Sequence, residues 1–205
     1  MSKYALIFIG FLFSGSAFSS DYNVTAQTAP TGKNSTVSLN NETNFNLVGE
    51  TLIVGDYLPS VALTRHDFTN YETSKEKDRV RIFSVLASVD TPVCHQQANE
   101  LSKTVETYGD LLQDIDFIAL SADTVFAQKR FIADNKLSSK VTFLSDSLYH
   151  DFGIKSGTQI RELGLMARTI IVVDKNNRIV YLQRVPELTT LPDLSKAIEI
   201  AKANI

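Results

Sequence analysis

The chain has 205 residues, 43% hydrophobic and 21% charged, with a formal net charge of −3, one Cys and no Trp. This is the composition of a folded domain long enough to bury a core, and it carries no electrostatic footprint for nucleic acid or an anionic membrane surface. A single Cys excludes an internal disulfide framework and any Cys-clustered zinc or iron–sulfur site.

In chain order, Lys3 is the sole charge before Asp21, an apolar run follows from Tyr4 to Phe13, and a small-residue exit from Ser14 to Ser20 closes the segment. That order describes a secretory signal peptide, and the run is too short for a bilayer span. A cut after Ser19 places the small Ala17 at the −3 position. The expected organisation is therefore a signal peptide over 1–19, an Asn/Thr-rich leader over 20–46 and a folded domain over 47–205. The mature protein is expected in the periplasm or outside the cell, where its one Cys has no internal partner.

From Asp21 to Asn46 no apolar period is sustained, so a flexible leader is expected, ending in a hairpin of residues 36–39 and 45–48 around Asn40-Asn41. Leu52-Ile53-Val54 reads as a short strand, Pro59 as part of an extended segment, and residues 71–78 as a charged loop. Val80 to Ala87 is a buried strand. Ala98, Leu101, Val105 and Tyr108 fall at helical spacing after Cys94. Ile115–Leu120 is a strand, Thr124–Lys136 a helix, Val141–Leu144 a strand and Ser147–Phe152 a short helix. Thr169–Val173 and Arg178–Gln183 form a hairpin joined at Lys175-Asn176-Asn177, and Pro192–Ala203 a closing helix.

The order βαβαβ, hairpin, helix implies an α/β fold. Parallel pairing comes from the crossovers and antiparallel pairing from the hairpin, giving a mixed central sheet flanked by helices. This is thioredoxin-like topology with an N-terminal hairpin extension.

The chemistry centres on Ser88-Val89-Asp90-Thr91-Pro92-Val93-Cys94, between the strongest strand and an amphipathic helix. Thr91 suits an N-cap and Pro92 the first helical position, which places Cys94 in the first turn. Free N–H groups and the helix dipole favour a thiolate there, and a thiolate is the nucleophile that attack on an O–O bond requires. The Thr91 hydroxyl is a candidate donor to a peroxide oxygen. Arg168, in Gly164-Leu165-Met166-Ala167-Arg168, is the candidate cation.

These residues resemble the thiol peroxidase family of atypical two-cysteine peroxiredoxins. Three stretches carry the resemblance: Val89–Cys94; Leu120-Ser121-Ala122-Asp123 with Phe126-Ala127-Gln128 and Arg130-Phe131; and Gly164-Leu165 with Ala167-Arg168, continuing to Glu187, Thr189-Thr190 and Pro192-Asp193. The resemblance spans Gly49 to the C-terminus. It implies a peroxiredoxin-type fold, Cys94 as the peroxidatic Cys, Thr91 and Arg168 as the residues that activate it and hold peroxide, a thioredoxin-like or other external thiol as reductant, and a homodimer. No cofactor and no metal are expected. The chain departs from the family twice: Ile132 stands where the resolving Cys would be, and Ala87 where the family has Pro.

Taken alone, a lone Cys in an exported chain reads as an inert buried thiol or a pairing partner, Arg168 as an ion-pair residue, and Asp123 as a helix cap. His66, His95 and His150 lack metal-ligand spacing; His95 adjoins the Cys and is a candidate for tuning it. The expected function is a thiol-dependent peroxidase that reduces hydrogen peroxide or small organic hydroperoxides through one Cys. The competing reading is a thioredoxin-fold binding or sensor module with little peroxidase activity.

Overall fold

The computed structural model describes residues 22–75 and 78–205, so the expected signal peptide lies outside the described residues. Strands β1 (Thr36–Leu39) and β2 (Thr43–Val48) form the anticipated hairpin. Asn40 and Asn41 take left-handed backbone angles (φ 57° and 56°), which Asn tolerates better than most residues. There follow β3 (Ala62–Arg65), β4 (Asn70–Glu72), β5 (Val80–Val85), α1 (Pro92–Tyr108), β6 (Ile115–Ser121), α2 (Val125–Asn135) and β7 (Val141–Ser145). The chain continues through α3 (Asp151–Ser156), β8 (Gln159–Ile160), β9 (Thr169–Val173), β10 (Ile179–Arg184) and α4 (Leu194–Lys202).

The main sheet has the order β10-β9-β5-β6-β7-β3-β4, and a smaller one the order β1-β2-β8. Strands β5, β6 and β7 run parallel, joined by the crossovers that carry α1 and α2. Strand β9 lies antiparallel against the other side of β5, and β3 antiparallel against β7. Every residue of β5 is buried because both sheet faces are covered, so even its Arg81 and Ser84 lie inside. Val80 and Ile82 join a core with Leu101 and Val105 of α1, Phe131 of α2 and Ala197 and Ala201 of α4. Phe83 and Val85 join a second core with Leu58, Val61 and Phe152 of α3. The mixed sheet flanked by helices is the expected fold. Among the described residues, no helix is long and apolar enough to cross a membrane.

Four local expectations are corrected. Residues 52–54 are not a strand: the Ile53 N–H donates to the Asp56 carboxylate (3.0 Å) and Gly55 takes φ 98°, so the chain turns and leaves Ile53 and Val54 57% and 56% exposed. The charged loop over 71–78 begins instead as β4, hairpin-paired to β3 with Tyr71 buried. The short helix starts at Asp151 rather than Ser147, preceded by His150 at φ 56°. The closing helix is capped by Asp193, whose carboxylate accepts the Lys196 N–H at 2.8 Å, so Pro192 precedes the cap rather than opening the helix.

Residues 22–31 are not a free leader either. The Thr25 N–H donates to the Leu191 carbonyl, the Leu191 N–H to the Asn23 carbonyl and the Ala29 N–H to the Arg184 carbonyl, each at 2.9 Å. The Gln183 amide donates to the carbonyls of Thr25 and Gln27 (2.7 and 3.1 Å), and the buried Arg184 donates through Nε to the Pro30 carbonyl (2.7 Å). The segment is held through its backbone, which apolar periodicity does not report.

Candidate active site

Strand β5 ends at Val85, and the loop 86–90 carries the chain into α1. Thr91 is the N-cap, in extended conformation, and Pro92 occupies the first helical position, as expected. The Thr91 hydroxyl accepts the Cys94 N–H (3.4 Å) and donates to the Ser88 carbonyl (3.1 Å). Cys94 therefore sits in the first turn of a 17-residue helix, with its side chain 0% exposed. The Ser88 N–H points at its sulfur from 3.4 Å.

Arg168 reaches the same sulfur from across the sheet. It immediately precedes Thr169, which pairs with Val85 at the end of β5, so the register delivers its side chain to the mouth of α1. The guanidinium is 1% exposed and donates through Nη1 to Cys94 Sγ at 3.2 Å. Nη1 also donates to the Gln97 side-chain carbonyl, one turn along α1, and Gln97 in turn donates to Ser84 Oγ (2.7 Å). Nε and Nη2 both donate to the Leu188 carbonyl (3.3 and 3.1 Å). All of these oxygens are neutral, and among the described residues no carboxylate pairs with Arg168. A buried cation held only by neutral acceptors calls for an anion. The Cys94 sulfur, in the first turn of α1, is the group on that guanidinium able to carry a negative charge. The structure thus brings together Cys94, Thr91 and Arg168, the three residues singled out from sequence.

Asp123 has a role that the sequence reading missed. The cap of α2 is Thr124, whose hydroxyl accepts the Ala127 N–H (3.3 Å). Asp123 instead accepts the Ser88 hydroxyl and the Val89 N–H, both at 2.8 Å, and so ties down the loop whose Ser88 N–H faces the sulfur. The available signal was its place just beyond the C-terminal end of a parallel strand, where α/β folds assemble their sites. The His95 ring, by contrast, turns away: it is exposed, bonds the Asn135 side-chain carbonyl and lies tilted 5.4 Å from the Phe131 ring. Ile132 is half-buried against the core, and Ala87 is buried in the same apolar cluster as Cys94.

The redoxin family profile matches residues 53–198. The thiol peroxidase of Bacillus subtilis (strain 168) is 36% identical over 157 residues, covering 77% of this chain and 91% of that protein. The chain belongs to the thiol peroxidase family. The thiol peroxidase of Halalkalibacterium halodurans is likewise 36% identical, with 77% of this chain and 92% of that one covered. Among solved structures, a peroxiredoxin-like protein from Aquifex aeolicus is similar with a TM-score of 0.75 and 30% identity, over 85% of this chain and 99% of that one. A thiol peroxidase from Chromobacterium violaceum shares the fold (TM-score 0.70, 19% identity, 83% and 97% covered). This thiol peroxidase is thus an oxidoreductase of the peroxiredoxin type, with one Cys to act as the peroxidatic residue. The binding-module reading is not favoured.

Proposed function

We propose that this enzyme reduces hydrogen peroxide or small organic hydroperoxides with Cys94 as nucleophile and Arg168 and Thr91 as its partners. The observation that carries the reading is the buried Arg168 guanidinium, 3.2 Å from Cys94 Sγ and with no carboxylate partner among the described residues. The thiolate attacks one peroxide oxygen, the O–O bond breaks, and the departing hydroxide or alkoxide takes a proton to leave as water or alcohol. Cys94 keeps the transferred oxygen as a sulfenic acid. Arg168 then faces the charge that develops on the oxygens, and the Thr91 hydroxyl, rotated off the Ser88 carbonyl, donates to the peroxide. Since the sulfur has no exposed surface, the 86–91 loop or the first turn of α1 gives way to admit substrate and reductant.

Cys94 is the only cysteine of the chain, so an external thiol resolves the sulfenic acid. It forms a mixed disulfide with release of water, and a second thiol from a small molecule or a thioredoxin-like protein frees Cys94. The basic start, apolar run and small-residue exit of residues 1–20 support export, with the mature protein beginning near Ser20 in the periplasm or outside the cell. Kinship to peroxiredoxins supports a homodimer. The deciding experiment adds one equivalent of hydrogen peroxide and traps sulfenic acid with dimedone, read by peptide mass. A single adduct on Cys94, absent from Cys94→Ser, is expected; an unmodified Cys94 with peroxide left intact defeats the proposal.

A further inference from the structure

The Leu188 carbonyl that holds two of the Arg168 donors belongs to the loop between β10 and α4, and a carboxylate one residue earlier fixes that loop. Glu187 is 6% exposed and has no cationic partner among the described residues. One of its oxygens accepts the Asn40 N–H (2.9 Å), the Thr189 N–H (3.0 Å) and the Thr189 hydroxyl (2.9 Å). The other accepts the Asn41 N–H (3.0 Å) and the Ser38 hydroxyl. The two asparagine N–H groups converge because both residues sit at positive φ in the β1–β2 turn. Around this knot the backbones are cross-bonded: the Ser38 N–H donates to the Pro186 carbonyl (2.9 Å) and the Leu188 N–H to the Ser38 carbonyl (2.8 Å). Leu188 is thus gripped on its N–H side by the hairpin and on its carbonyl side by Arg168.

We propose that Glu187 is a positioning residue for the peroxidase reaction: by latching the β1–β2 turn to the β10–α4 loop it fixes the Leu188 carbonyl, and through it the Arg168 guanidinium on the Cys94 sulfur. The proposal rests on the role assigned above to Arg168. Burial works against the charge on Glu187, but the Ser38, Thr189 and Asn41 donors outweigh it and hold its carboxyl down at about 2, which agrees with a carboxylate committed to these bonds. The N-terminal hairpin then serves the site from outside it, as a brace on the loop behind the arginine.

Glu187→Gln tests this, because the amide turns one acceptor oxygen into a donor that faces N–H groups. Two readouts are taken on the purified full-domain protein: the rate of Cys94 oxidation by hydrogen peroxide in a single turnover, and iodoacetamide alkylation against pH. Both report on one sulfur, since the chain has no other Cys. E187Q is expected to oxidise about tenfold more slowly, with its alkylation profile moved to higher pH, while on an Arg168→Met background it changes the oxidation rate by less than about twofold. Ser38→Ala is the milder variant, expected to shift both readouts in the same sense by less, and it decides the matter if E187Q does not fold. Glu162→Gln is the control, because Glu162 anchors the same hairpin through the Asn46 N–H and side-chain amide (3.0 and 2.7 Å) without touching Leu188. It is expected to lower the melting temperature and leave the oxidation rate unchanged. A folded E187Q with wild-type rates, an equal slowing on the R168M background, or an equal slowing by E162Q overturns the latch. If R168M itself reacts at the wild-type rate, the assignment of Arg168 falls first and the latch with it; if R168M is slow and E187Q is not, the latch alone falls.

Discussion

At the scale of single residues, the site is a short chain of bonds from the Asp123 carboxylate through Ser88 to the sulfur, met from the other side by Arg168. Removing the guanidinium takes away the cation that meets the sulfur. Arg168→Met is therefore expected to slow peroxide consumption about a hundredfold, the order found for loss of a preorganised donor, with Cys94 alkylation at neutral pH slowed in parallel. A variant that keeps wild-type alkylation would show that another group holds the thiolate. Asp123→Ala strands the Ser88 hydroxyl and the Val89 N–H, a cost of about 1–3 kcal/mol for buried donors left unpaired. Denaturant titration is expected to show that loss together with slower peroxide turnover, because the loop that aims the Ser88 N–H is freed.

At the scale of elements, α2 decides the fate of the oxidised enzyme. Ile132 packs against the core at the position where the resemblance implies a resolving Cys, so a sulfenic acid formed on Cys94 would find no second Cys in the chain. With excess peroxide and no thiol, wild-type protein is expected to gain two oxygens, the mass of a sulfinic acid. A product that stops at one reversible adduct would point to a different protecting group. Ile132→Cys closes a disulfide only if α2 unwinds enough to bring the two Cα atoms within about 7 Å, since disulfide geometry tolerates little more; its mark is the loss of two hydrogens. The hairpin latch carries a pH signature of its own. Glu187 is held at about 2 in the folded state against 4.5 for an unperturbed Glu, so its contribution is complete above pH 4.5 and is lost as the pH falls through about 2. Acid unfolding of Glu187→Gln is expected to lack that component, and identical acid curves for the two proteins would refute the assignment.

At the scale of the whole molecule, the domain is longer than its apolar pattern suggests, because residues 22–31 are bonded along β10 and the loop before α4. Burial pulls the Arg184 guanidinium down to about 10, and it is held there by the Pro30 and Val185 carbonyls. Deleting residues 22–30 exposes this face and leaves Arg184 short of an acceptor. A fall in melting temperature of several degrees is expected, in line with about 1–3 kcal/mol for an orphaned buried donor in a protein of this size. An unchanged melting temperature would mean that the segment only rests on the surface. Intact mass of the native protein checks the organisation upstream: a chain starting near Ser20 is expected, and one that retains Met1 in the cytosol would overturn export.

What could be read without coordinates is what local chemistry encodes. The run from Val80 to Ala87 announced a buried strand, of which Val80–Val85 forms β5, Thr91 and Pro92 announced a helix start, and Cys94, three residues after Thr91, announced a thiol among free N–H groups. Each of these depends on a few neighbouring residues and on steric rules that hold anywhere. The bond from Arg168 to Cys94 spans 74 positions and follows from the antiparallel register of β9 on β5, which no window of sequence contains; only the likeness of the Gly164–Arg168 stretch to a known family hinted at it. Asp123 could be placed at a strand end but not assigned to the Ser88 loop, since a carboxylate there serves equally well as a cap. The leader and the two short strands β3 and β4 stayed hidden for a common reason: they are held mainly by backbone hydrogen bonds to distant partners, and the backbone is the same at every position, so only the folded chain chooses which groups meet.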